Sequence, residues 1–159
     1  MSDSKYKTMR HIETVRNYLN LCIKELIGRQ ESHDQSKFSD QEIPVFDEYT
    51  DKLRNCTYGS EEYKGFLRDM QPALVHHYSN NRHHPEYFKD GIKDMNLIDV
   101  LEMIVDWKCS CMRHNDGDIF RSIEINQGRF GYSDELKQIF INTAKWLNES
   151  DVFHKASES

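Results

Sequence analysis

Residues 96–111, "NLIDVLEMIVDWKCSC", place apolar side chains on nearly every side of a helical wheel. A helix that is apolar all round belongs in the middle of a bundle, where each face can be covered. Three acidic residues interrupt it: Asp99, Glu102 and Asp106, at steps of three and four. That spacing brings them within about 60° of one another on the wheel. A carboxylate buried without a partner is costly, so each must pair, take up a proton or hold a metal. The plainer alternative for Asp99 and Glu102 is a solvated face, with Asp99 acting near the helix N-terminus. Asp106 lies deeper, between Val105 and Trp107, and is the strongest ligand candidate of the three.

Outward from this helix the chain reads as helical. From about Lys7 to Arg29, Val15, Leu19, Cys22 and Leu26 recur at steps of three and four, with His11 one turn before Val15 on the same stripe. "ESHDQSKFS", from Glu31, reads as a short helix or turn. Ser39 is a candidate cap for a helix beginning around Asp40, whose start Pro44 delays, and Ile43, Phe46, Tyr49 and Leu53 give it an apolar face. Ser60 followed by Glu61 and Glu62 signals another start. Tyr63, Leu67, Met70, Leu74 and His77 then form a stripe that Pro72 bends, and "SNNRHHPEYF" ends it, since the residue before Pro85 is biased away from helix. A last helix is expected from Ser133 to Leu147, packing through Phe140, Ala144 and Trp146 or Leu147. No strand, repeat or low-complexity tract is evident. The expected fold is an all-α, single-domain helical bundle over residues 1–159, with loose termini at about 1–6 and 150–159.

Composition narrows the function. Charged residues make up 30% of the 159 and apolar ones 37%, and no apolar run approaches the roughly 18–20 residues of a membrane span. No secretory leader is visible, and the four cysteines lack framework spacing. They are expected to be reduced thiols in a cytosol. Cys109 and Cys111 diverge by about 200° on a helix, which weighs against a shared metal. The net charge of −6 argues against a nucleic-acid polymer as partner. A small phosphorylated substrate stays open, because a bound metal reverses the local sign.

Histidine is the unusual component, with eight residues. His11 and His77 each continue the apolar stripe of their helix and should point inward. Together with His33, Asp34 and a buried carboxylate they suit a divalent first-row ion, and a carboxylate can bridge two such ions. His33 and Asp34 diverge by about 100° on a helix, so a metal lying in the angle between them reaches both. Lys37, one turn further on, either holds an anionic group beside the metal or pairs with an aspartate on the surface.

The order His11, His33-Asp34, the histidines at 76–77 and 83–84, then Asp106 resembles the H…HD…H…H…D pattern of the HD-domain superfamily. Those proteins are helical, bind one or two divalent metals and are mostly phosphohydrolases. "HDQSK" is similar to the HD-x-G-K form of the motif, with Ser36 in place of glycine. "RHHPE" resembles the paired-histidine motif of the cyclic-dinucleotide phosphodiesterase branch. The likeness extends to a group of small, often phage-encoded HD-like proteins sharing "HHPEYF" and "EMIVDW", and runs from about His11 to Trp107. The resemblance implies His33, Asp34 and Asp106 as central metal ligands, with His11 completing one site. It implies that Asp34 bridges to a second ion held by His77 and one or both of His83 and His84. Two departures matter: Lys37 stands where the nucleotidase branch has its catalytic glutamate, and "PEYFKDG" replaces a glycine-rich sequence.

The expectation is a cytoplasmic phosphohydrolase (in the host cytoplasm if phage-encoded) acting on a nucleotide or other small phosphate ester. Its cofactor would be one or two divalent ions: Mn, Fe, Co, Ni, Mg or Zn. Asp34 would be catalytic, Lys37 and Arg82 would neutralise phosphate oxygens, and Glu86 would move a proton. Tyr87 and Phe88 read as core or pocket wall. Two alternatives use nearly the same ligands: an HD-type di-iron oxygenase on a small polar substrate, and a non-catalytic metal-containing protein that sequesters a nucleotide.

Overall fold

The computed structural model describes residues 3–57, 59–114 and 116–150, and every regular element among them is helical. The chain divides into two compact units, residues 1–35 and 36–159.

The first unit is one long helix, α1 (Asp3–Ser32), followed by a turn at 33–34. It extends beyond the expected 7–29 because its ends hold themselves. Lys7 pairs with Asp3 at 2.7 Å and Arg29 with Glu25 at 2.9 Å, both one turn apart. Thr8 and Ser32 donate back to the carbonyls of Ser4 and Gly28. After α1, Asp34 adopts φ 57°, a left-handed conformation that aspartate tolerates better than most residues.

The second unit begins with a 3-10 turn reaching Phe38 and then α2 (Ile43–Asn55). Pro44 sits in the first turn of α2, where a missing N–H costs nothing. Ser39 does not cap it; Glu42 occupies that place without a side-chain cap bond. Ser60 is the N-cap of α3 (Glu61–Asp69) and accepts from the Tyr63 N–H at 3.1 Å. The expected bend at Pro72 is a break: α3 ends, Met70 intervenes, and α4 (Gln71–Asn80) starts with the proline in its first turn.

Two 3-10 turns, Pro85–Tyr87 and Gly91–Asp94, lead to α5 (Leu97–Arg113). Asn96 and Asp99 form a reciprocal capping box there: Asn96 accepts from the N–H groups of Ile98 and Asp99, and Asp99 accepts from that of Asn96. Asp118 caps α6 (Ile119–Phe130), a helix the sequence pattern did not announce, by accepting from the Phe120 N–H at 2.8 Å. Gly131, at φ 65°, ends α6 in the left-handed conformation, and α7 (Asp134–Ser150) follows.

α5, α6 and α7 enclose a core of Met103, Ile104, Ile119, Ile123, Tyr132, Phe140 and Ala144. Trp107 stacks on Phe130 with 6.0 Å between ring centres, and meets Phe140 edge-on at the same distance. The Tyr132 hydroxyl donates to the Ile123 carbonyl, satisfying the one polar group on a buried ring. Met70, Ala73 and Leu74 are buried around the α3–α4 break.

Phe140 is 1% exposed and its neighbour Ile139 57% exposed. Phe140→Ala should cost about 3–5 kcal/mol, and Ile139→Ala no more than about 0.5 kcal/mol. Urea unfolding of the two variants beside the wild type measures both.

Candidate metal centre

α4 presents two adjacent histidines to different surroundings. His77 is 2% exposed, whereas His76, turned about 100° away, is half-buried. Glu42, with no exposed surface, receives both: His76 Nδ1 lies 2.6 Å from Oε1 and His77 Nδ1 2.8 Å from Oε2. Ser36 Oγ and Asn81 Nδ2 also stand 3.1 and 3.2 Å from His77 Nδ1. That nitrogen has one proton to give, and the buried carboxylate is the strongest acceptor within reach. The His77 tautomer is therefore set, with the Nε2 lone pair facing the other way.

His83 is built the same way. It is 2% exposed, and its Nδ1 lies 3.1 Å from Oε1 of Glu102 on α5. The segment carrying His83 and His84 is held from below by Arg82, whose Nε and Nη2 reach the two oxygens of Asp99 at 3.2 and 3.1 Å. Asp99 has no exposed surface, so this pair and the capping box together answer for its charge. The guanidinium also lies over the rings of Tyr87 and Phe88.

The outcome is a convergence of ring nitrogens. His77, His83 and His84 each offer one, all within 4.8 Å of one another, and His77 Nε2 is 3.0 Å from His84 Nε2. A carboxylate oxygen of Asp106 also lies within 4.8 Å of a ring nitrogen of His83. Two imidazole nitrogens at 3.0 Å need a proton or a cation between them. Neighbouring ligands of an ion with metal–nitrogen bonds of about 2.0–2.1 Å stand roughly 2.9–3.4 Å apart, so the spacing suits an ion. Three histidines, two backed by carboxylates, also match the donor set of a metal site with an open position.

His84, Asp106 and Lys37 line a cleft of about 560 Å³ bordered by α2, α3, α5 and α6. The Lys37 ammonium lies 5.1 Å from the centre of the Phe46 ring. His114 also lines the cleft, and burial pushes its imidazole below its usual value. Gly117 lets the chain close here, because a Cβ would stand 1.8 Å from the Cys111 carbonyl oxygen.

The remaining expected residues fall into three groups. Arg82 and Glu86 are tied to protein partners, Asp99 and Arg129 respectively, so their geometry does not support the substrate and proton roles expected of them. His33 and Asp34 lie in the turn after α1, with His33 Nε2 3.6 Å from Asp34 Oδ2. Within its own unit His11 stands on a single helix with nothing packed on its stripe, so the inward orientation expected of it is not found there. It enters no group of converging ligand atoms among the described residues. None of the cysteines forms a disulfide. Sequence reasoning missed Glu42 altogether. A lone glutamate before Ile43-Pro44 carries no signal of a partner on another helix.

Residues 1–150 match a family described as "Family of unknown function (DUF5662)", and the chain belongs to that family. No curated protein and no solved structure matches it. No helix among the described residues is long and apolar enough to cross a membrane.

His77→Ala should weaken Co(II) or Zn(II) binding by at least about a hundredfold, and Glu42→Gln by about 10–100-fold, as losing a backing carboxylate does elsewhere. His76→Ala should stay within about threefold of wild type. Calorimetric titration, with the Co(II) absorption bands as a second readout, gives all three.

Proposed function

We propose that this protein is a metal-dependent phosphohydrolase acting on a small phosphate ester such as a nucleotide. The observation that carries the reading is the set of three converging imidazoles beside an open cleft, two of them oriented by carboxylates, one of which, Glu42, is fully buried. Imidazole and carboxylate donors suit Mn, Fe, Co, Ni or Zn. A bound divalent ion supplies Lewis-acid polarisation and hydroxide at neutral pH.

The chain's own residues then divide the work. His77, His83 and His84 would hold the ion, with Asp106 beside His83. Glu42 and Glu102 would keep the first two rings in the tautomer that offers Nε2. Lys37, which lines the same cleft as His84 and Asp106, would neutralise the phosphoryl oxygens as charge builds on them. The assignment of His33 and Asp34 as ligands rests on the sequence and belongs to the same proposal.

Asp34→Asn tests that assignment, because asparagine tolerates the left-handed conformation and removes only the charge. Elemental analysis should show most of the metal lost from a folded protein. Lys37→Ala should keep its metal and lose about a hundredfold in kcat/KM, and Lys37→Arg should recover part of it. Steady-state phosphate release from a nucleotide panel reports these rates. Metal-loaded wild type that releases no phosphate from any of them, yet consumes oxygen, would replace the hydrolase reading.

A further inference from the structure

α6 carries two polar side chains where its apolar stripe should continue. Ile119, Ser122, Ile123 and Asn126 are all buried, and the two isoleucines enter the core that α6 shares with α5 and α7. Ser122 and Asn126 are 3% and 2% exposed and stand one turn apart on the wall of the cleft. Asn126 Nδ2 donates to Ser122 Oγ at 3.2 Å. The carboxamide makes no other hydrogen bond among the described residues, so Oδ1 and the second N–H are unused.

A buried amide that leaves half of its capacity unspent costs stability, and an apolar side chain of the same size would avoid that cost. The Asn126 oxygen is not sealed within the protein, however. The open space that Asn126 borders is the cleft together with a smaller hollow of about 360 Å³. Tyr63, half-buried on α3, borders the same two spaces. Its ring centre lies 6.1 Å from that of His114, a contact that steadies the phenol from one side. An amide and an aromatic ring from two helices therefore face the same opening.

A carboxamide with one N–H and one C=O unspent matches a flat ring that carries an acceptor and a donor side by side on its edge. Every nucleobase has such an edge, and a sugar phosphate has no such planar group. An aromatic side chain beside the amide supplies a surface on which the ring can stack. We infer that the cleft holds a nucleobase, its hydrogen-bonding edge against Asn126 and its face against Tyr63, with Ser122 setting the amide. Asn126 is the residue that makes a nucleotide, and not a sugar phosphate, the ester this cleft prefers. This rests on the hydrolase reading for the phosphate at the histidines, but the base site is a matter of binding alone.

Ribose 5-phosphate and the common ribonucleoside 5′-monophosphates differ only in the base. Their affinities are measured calorimetrically on the full-length protein, metal-loaded and metal-free, beside phosphate release from each. At least one nucleotide should bind about tenfold to a hundredfold more tightly than ribose 5-phosphate. Asn126→Leu should remove about tenfold of that advantage and leave the affinity for ribose 5-phosphate unchanged. The same variant should unfold at no lower a urea concentration than the wild type, because an apolar side chain suits the buried face. Tyr63→Leu should lose the advantage as well, whereas Tyr63→Phe keeps most of it. Ribose 5-phosphate bound as tightly as every nucleotide, or a preference untouched by Asn126→Leu, would overturn the base site even if phosphate is released. So would a variant that is less stable and weakens all ligands alike, the mark of a structural asparagine. A preference that depends on Asn126 without any phosphate release would sustain the site and sink the hydrolase reading instead. Should Asn126→Leu fail to fold, the two Tyr63 variants decide, and equal preferences in Tyr63→Leu and the wild type overturn the inference.

Discussion

Glu42 is the constraint on which the candidate centre depends. Its carboxylate has no exposed surface and accepts from two imidazoles on α4, 34 and 35 residues further along the chain. An ionised carboxylate without water is tolerable only when its oxygens are fully engaged. Each histidine therefore satisfies one oxygen, and the start of α2 is fixed against α4. The same bond decides which nitrogen of His77 is available for chemistry. One interaction sets both the packing and the chemistry, so disturbing it should affect metal binding more than its small buried area suggests.

Asp99 plays the corresponding part at the head of α5. Its two oxygens close the capping box with Asn96 and take the guanidinium of Arg82. The first interaction ends the coil and starts the helix, while the second ties down the segment that carries His83 and His84. Glu102, one turn on, orients His83 directly. The acidic face of α5 therefore reads as three jobs in sequence. Asp99 fixes a loop, Glu102 orients a ring, and Asp106 offers an oxygen to the cluster.

The cleft beside this cluster is lined by histidine, arginine, acidic and aromatic side chains from several helices. The whole chain carries a charge of −6, whereas the cleft is lined by five basic and five acidic residues. Net charge constrains long-range attraction to polyanions; it says little about a pocket a few ångströms across.

Helicity was legible in the sequence, because apolar periodicity and caps such as Ser60 act within a turn or two. The inward placement of His77 followed from the same short-range arithmetic. Helix α6 escaped because its buried face includes Ser122 and Asn126, polar residues that blur an apolar stripe. Pro72 read as a bend, whereas the chain breaks there, since Met70 and Ala73 are covered by neighbours the sequence does not name. What only the tertiary structure decided is which charges are already answered. Arg82 and Glu86 look available in a string of letters but are joined to Asp99 and Arg129, 17 and 43 residues away. Glu42 looks idle and is buried under two histidines. A side chain's charge is read from its own letter, but its partner is chosen by how helices distant in sequence pack. Those partners determine which groups remain for a metal or a substrate.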